Sequence, residues 1–243
     1  MRVATLAGVG VAGAVAVHSV PTLTNIGGLR RRICPLLAGR GSPGHVALTF
    51  DDGPDPASTP AFLHALDRLG WRATFFMLGS MVERAPALAA EVAAAGHEVA
   101  VHGYRHQSEL FQTPKAVSND LTRAIDAMSS ATERAPLWFR PPYGSLSAAG
   151  VLAARRERLR PVLWTTWGRD WRAEASPETV VADVARHLGP GATVLLHDSD
   201  CASAPDAWRS ALGALDRLDE LFSERGLVVG TLAEHGLGHA RRL

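Results

Sequence analysis

The sequence carries a single lysine, Lys115, among its 25 basic residues, two cysteines, Cys34 and Cys201, and only 6% aromatic residues. Each shortage excludes something. Two cysteines allow at most one disulfide, so no disulfide framework holds the fold, and they do not fix the compartment. Basic and acidic residues nearly cancel, 25 against 24, for a net charge of +1. No basic face is apparent, which argues against a nucleic-acid partner. The one long apolar run is shorter than the about 20 residues needed to span a bilayer. No internal repeat stands out. What is present is 47% apolar content over 243 residues, enough for one large domain.

Residues Val3–Val17 are rich in Ala, Gly and Val and follow Arg2; Ala14-Val15-Ala16 has the small-residue spacing of a cleavage site. This reads as a secretory signal peptide or an anchor, against the alternative of an apolar helix packed on the domain. Arg30, Arg31 and Arg32 pull the other way, since positive residues tend to stay on the cytoplasmic side. The expected location is secreted or membrane-anchored, facing the cell envelope, with the cytoplasm left open. Residues 29–44 are rich in Arg, Gly and Pro and read as a lead-in.

From His45 onward, strand-like and helix-like stretches alternate. Expected strands are Val46–Phe50, Ala73–Leu78, Glu98–Val101, Leu137–Arg140, Val162–Thr166, Ala192–Leu196 and Leu227–Val229. Helices are expected after Thr59-Pro60, Pro86, Pro114, Leu146, Ser176-Pro177 and Asp206, with Thr59 and Ser176 as caps and Gly70 and Gly96 as stops. Seven strands alternating with helices imply parallel pairing, in an α/β barrel or an open sheet.

Polar residues gather at the strand ends. Asp51-Asp52-Gly53-Pro54 follows the first strand and His102-Gly103-Tyr104-Arg105-His106 the third. Arg140-Pro141-Pro142-Tyr143-Gly144 follows the fourth, Asp170-Trp171 the fifth and His197-Asp198 the sixth. In α/β barrels the C-terminal strand ends form the active-site rim. Adjacent aspartates at a strand end point in different directions, so one can hold a metal while the other handles a proton. In a helical turn His102 and His106 would share a face. With Asp52 they would make a two-histidine, one-carboxylate site with a position open for water. Trp167 and Trp171 read either as core or as a wall on which a sugar stacks. His45, His64, His97, His187, His235 and His239 show no ligand spacing and read as structural. Phe75 and Phe76 read as core, and Tyr104 and Trp138 as candidates for the groove.

These five motifs, in this order, resemble those of the polysaccharide deacetylases, the NodB-homology domain of carbohydrate esterase family four. The resemblance covers about residues 44 to 235. It makes residues 1–43 an N-terminal segment and 44–243 the catalytic domain. It implies a distorted (β/α)7 barrel and a divalent metal, usually zinc. The implied reaction removes N-acetyl groups from chitin-like or peptidoglycan sugars, or O-acetyl groups from xylan in some members. By position, Asp51 would be the base and Asp52, His102 and His106 the metal ligands. Arg140 would hold Asp51, the backbone N–H of Tyr143 would stabilise the oxyanion, Leu195 would line the acetyl pocket, and His197 would be the acid.

Two residues depart from the family pattern. Gly103 stands where Ser or Thr is usual, removing a hydroxyl that would brace the ligand loop. Trp167 stands where an aspartate is frequent, leaving Asp170 alone to orient His197. The expected partner is an acetylated amino-sugar polymer, bound by a monomer. The alternatives are an amidase acting on a small non-sugar amide, an O-acetyl esterase, and a catalytically dead carbohydrate-binding protein. The last should lack Asp51, a ligand or His197, and all are present.

Overall fold

The computed structural model describes residues 18–237 apart from 26, 27, 29, 31 and 33. The Val3–Val17 run, Arg31 and His239 lie outside the described residues. Among the described residues no helix is long and apolar enough to cross a membrane.

Eight strands form one parallel sheet: β1 (His45–Asp51), β2 (Thr74–Met77), β3 (Glu98–Val101), β4 (Trp138–Phe139), β5 (Arg160–Pro161), β6 (Thr166–Trp167), β7 (Thr193–His197) and β8 (Val228–Gly230). The helices packed around it are α1 (Thr59–Leu69), α2 (Gly79–Arg84), α3 (Pro86–Ala94), α4 (Pro114–Thr132), α5 (Ala148–Arg156), α6 (Pro177–His187) and α7 (Trp208–Glu224). Gly70 and Gly96 take left-handed φ values of 67° and 85° where α1 and α3 end. Ser176 and Thr179 close a reciprocal capping box on α6. The cap of α1 is Ser58 rather than Thr59. Neither hydroxyl serves the helix end; both donate to Asp198, Ser58 to its carbonyl and Thr59 to its carboxylate.

The strand order is β5-β4-β3-β2-β1-β7-β6. Laid flat, seven strands would hold β5 and β6 about 29 Å apart. The chain from Pro161 to Thr166 reaches at most about 17 Å. The sheet therefore curls until its two ends nearly meet, giving the distorted barrel. The stretch expected as one strand, Val162–Thr166, is the seam of that barrel. β5 ends at Pro161 just before it and β6 begins at its last residue, Thr166, on opposite edges of the sheet, which raises the strand count from seven to eight. β8 takes the edge of β1 over His45–Ala47, and β2 takes the same edge over Thr49–Asp51.

Alternation along β1 sorts its side chains into two layers. Val46, Leu48 and Phe50 join the large cluster packed under the helices. Ala47 faces inward with Phe76, Ala100, Trp138, Val162, Leu232 and Leu237. Phe75 thus belongs to the helix layer and Phe76 to the interior. Trp138 is buried there too, donating to Glu98, and Tyr104 is buried with its hydroxyl on Glu83. Neither lines the groove.

The described part of the lead-in packs against the barrel. Leu163 N–H donates to Leu37 O at 2.7 Å, Thr193 Oγ1 donates to Gly39 O, and Gly41 N–H donates to Gly191 O. Both cysteines are free thiols.

Candidate active site

β1 delivers two carboxylates by two different devices. Asp51 is the last strand residue, in register with Phe76 on β2 and His197 on β7. Asp52 has already left the strand, with φ at 82°, a strained value for a non-glycine residue. Its N–H still donates to Phe76 O. With this left-handed turn both carboxylates reach His102 Nε2, Asp51 Oδ2 at 3.7 Å and Asp52 Oδ1 at 3.4 Å.

Asp51 Oδ1 accepts from Arg140 Nη1 at 2.6 Å. Arg140 is wholly buried and also donates to Thr49 Oγ1, Val162 O and Leu163 O. Burial pushes the Asp51 carboxyl above its ordinary range, while the Arg140 guanidinium pulls against that shift.

His102 and His106 do not sit in a helical turn. They flank a bent loop that starts at Gly103, whose φ of 86° reverses the chain. His102 Nδ1 lies 2.8 Å from Arg140 O. A carbonyl only accepts, so Nδ1 carries the proton and Nε2 presents a lone pair. That lone pair lies 3.4 Å from Asp52 Oδ1, and His106 Nε2 lies at the same distance. Asp52 Oδ1 is buried with no hydrogen-bond donor. Burial lowers both imidazoles to about 3, so they stay neutral. Burial also raises Asp52 to about 7, with Asp51 and Asp198 adding to the rise. The three donor atoms lie within 4.8 Å of one another. The His102 lone pair and a carboxylate oxygen with no donor face each other, with His106 Nε2 equally close, an arrangement that a cation between them would relieve. The donor set, two imidazole nitrogens and one carboxylate, therefore fits a divalent ion of the zinc type.

On the opposite side, Asp170 is fully engaged by His197. Its Oδ2 accepts the His197 backbone N–H at 2.6 Å and its Oδ1 faces Nδ1 at 3.0 Å. Burial works against a charge on His197, but Asp170, with Asp52 and Asp51 adding to it, holds the imidazolium up to about 10. Asp170 thus orients His197 without a second aspartate at position 167.

A cavity of about 280 Å³ joins these groups. Trp164, Trp167 and Trp171 line one side as a train of rings with centroids 5.5 and 5.1 Å apart, and Trp171 meets the His197 ring at 5.6 Å. The two tryptophans singled out in the sequence are half-buried wall residues rather than core. Trp164 is a third that the sequence reading missed; the three-residue spacing to Trp167 was its signal. Leu195, in register with Trp167, lines the same cavity. Tyr143, 60% exposed and with a left-handed φ of 59°, forms the facing rim, its ring 4.4 Å from His106. Gly144 and Ser145 N–H groups are tied to Pro141 O and Pro142 O. The structural reading of His45, His97 and His235 agrees with their contacts. His45 and His235 pair through their Nδ1 atoms at 2.8 Å, and His97 Nδ1 accepts from Ala73 N–H.

The polysaccharide deacetylase family model matches residues 38–162. Among curated proteins, a chitooligosaccharide deacetylase of Bradyrhizobium sp. (strain ANU 289) is 37% identical over 83% of this chain and 93% of its own length. A peptidoglycan-N-acetylglucosamine deacetylase of Bacillus cereus (strain ATCC 14579) is 37% identical over 63% of this chain and 72% of its own. Among solved structures, a wild-type carbohydrate esterase family 4 pseudoenzyme from Bacillus anthracis superposes with a TM-score of 0.73. It is 27% identical and covers 82% of this chain and 67% of its own. Family model, relatives and fold agree: the chain belongs to the polysaccharide deacetylase family.

Proposed function

We propose that the protein is a metal-dependent deacetylase of polymers containing N-acetylglucosamine, chitin-like or peptidoglycan. The observation that carries this reading is the Asp52–His102–His106 group flanked by Asp51 on one side and His197 on the other. The names of the relatives support the amino-sugar substrate.

Asp52, His102 and His106 would hold the ion, with zinc the best match to their donor atoms. When bound, the ion polarises the acetamide carbonyl and lowers the pKa of water at the site toward about 7. The remaining work belongs to the chain. Asp51 Oδ1 is tied to Arg140, which leaves Oδ2 to take the proton from the attacking water. The Tyr143 backbone N–H donates to the developing oxyanion, a task that rewards a preorganised donor. Leu195 and the tryptophan wall receive the acetyl methyl and the sugar. With Nδ1 facing Asp170, His197 presents Nε2–H to the leaving nitrogen and protonates the amine as it departs.

Acetate release from acetylated chito-oligomers and from peptidoglycan, with zinc supplied, tests the reading. Asp51→Asn should retain the ion and lose about 10²–10⁴ in rate. Asp52→Asn should lose the ion instead, and activity with it. No acetate from either polymer by the zinc-loaded protein overturns the proposal. The apolar Val3–Val17 run supports a cell-envelope location. Recovery of a full-length cytoplasmic protein on fractionation and N-terminal sequencing would refute that.

A further inference from the structure

Helix α4 brings to the ligand loop a carboxylate for which the chemistry above has no use. Asp120 Oδ2 accepts the Tyr104 backbone N–H at 2.7 Å, and its Oδ1 accepts the Arg105 N–H at 3.3 Å. Those two N–H groups lie on the backbone between His102 and His106. The opposite side of the same backbone is held by α2. Gly79 N–H donates to Gly103 O and Ser80 N–H donates to Tyr104 O, both at 3.0 Å. The loop has no ladder of its own, so its shape is set by these two helices. Residue 103 cannot supply the bracing. Its φ of 86° disfavours any side chain, and a Cβ there would sit 3.0 Å from Asp120 Oδ2.

We propose that Asp120 is a positioning residue for the metal ligands. By holding the backbone between the two imidazoles it fixes the separation of their Nε2 atoms, and so the affinity of the site. The inference rests on the reading of Asp52, His102 and His106 as a metal site. Partners that orient metal ligands from outside the coordination sphere typically contribute about 10–100-fold to affinity or activity. Asp120 touches none of the three ligand side chains in any hydrogen bond or ion pair of the structure, so its effect travels through the backbone.

The test titrates metal-free protein with zinc against a chromophoric chelator and records the absorption spectrum of the cobalt-substituted form. Wild type, Asp120→Ala, Asp120→Asn and His106→Ala are compared. Asp120→Ala should bind zinc about 10–100-fold more weakly and show a shifted cobalt spectrum. Asp120→Asn, which keeps one carbonyl acceptor, should fall between it and wild type. At saturating zinc both should regain most of the wild-type kcat. If wild type binds no zinc, the metal reading itself fails. If wild type binds and folded Asp120→Ala matches it within about threefold, with the same cobalt spectrum, Asp120 has no positioning role. Should Asp120→Ala fail to fold, wild-type affinity in Asp120→Asn overturns the proposal in the same way.

Discussion

Arg140 Nη1 lies 2.6 Å from Asp51 Oδ1, and neither residue is exposed by more than 2%. The same guanidinium reaches Val162 O and Leu163 O in the seam of the barrel. One side chain thus holds Asp51, the proposed base, and ties β1 to the seam of the barrel. Arg140→Met should cost about 3–5 kcal/mol, because it strands a buried carboxylate. Arg140→Lys keeps the charge but cannot span four acceptors, and should remain well below wild type in stability. Urea unfolding of the two variants measures this. An Arg140→Met protein as stable as wild type would show that the seam is closed by other contacts.

Asp170 sets the charge on His197. Burial alone would lower this imidazole; the adjacent carboxylate instead raises it to about 10. As the proposed general acid His197 must be protonated to act, so the alkaline limb of kcat/KM should report its pKa. Asp170→Asn removes the principal anion, and that limb should move to lower pH. The profile on a soluble chito-oligomer is the measurement. An unmoved limb would assign the acid to another group.

Little of this was hidden in the sequence at the strand ends. Each short apolar run stops at a polar residue, and a parallel sheet brings those stops to one rim; Asp51, His102, Arg140 and His197 were legible for that reason. What the sequence concealed depends on closure. Val162–Thr166 has the composition of a strand, but whether a stretch pairs along its length depends on where the sheet's edges end up. The left-handed turn at Asp52 was hidden because aspartate is ordinary in both strands and turns. Asp120 was hidden because one acid on a helix surface looks like any solvated residue until a loop lies across it. Tyr104 and Trp138 misled because an aromatic beside a motif reads equally as core or as groove.

Glu109 offers a stability test away from the chemistry. Its carboxylate accepts from Ser147 N–H and Oγ, each at 2.9 Å, on the chain that follows the Tyr143 rim. Burial raises it from 4.5 to about 7. The folded state therefore holds a proton that the unfolded chain releases earlier. Its contribution to stability is full below pH 4.5 and declines as pH rises to about 7. Glu109→Gln should flatten that part of the stability–pH curve. Denaturant midpoints from pH 4 to 8 would show it; an identical slope in the variant would refute the shift.

Arg30 should act on substrate binding. It is 3% exposed, donates to Trp164 O at 2.6 Å, and lies 5.2 Å over the Trp164 ring that lines the pocket. A partly desolvated cation–π contact contributes about 0.5–2 kcal/mol. Arg30→Ala should raise KM for an oligomer about two- to thirtyfold, with kcat and zinc content nearly unchanged. An equal loss in kcat would place its effect on the chemistry instead.

The pairing of β1 has a consequence for how the chain reaches this state. The strand that ends at Asp51 precedes every other strand of the sheet in the chain, yet its neighbours include β7 at Thr193–His197 and β8 at Val228–Gly230. Pairing across such separations must overcome loop-closure entropy before any contact rewards it. Until the last strand arrives, β1 has an unfilled edge over His45–Ala47. The rim that sets Asp51 beside His197 therefore cannot close before β7 has been made.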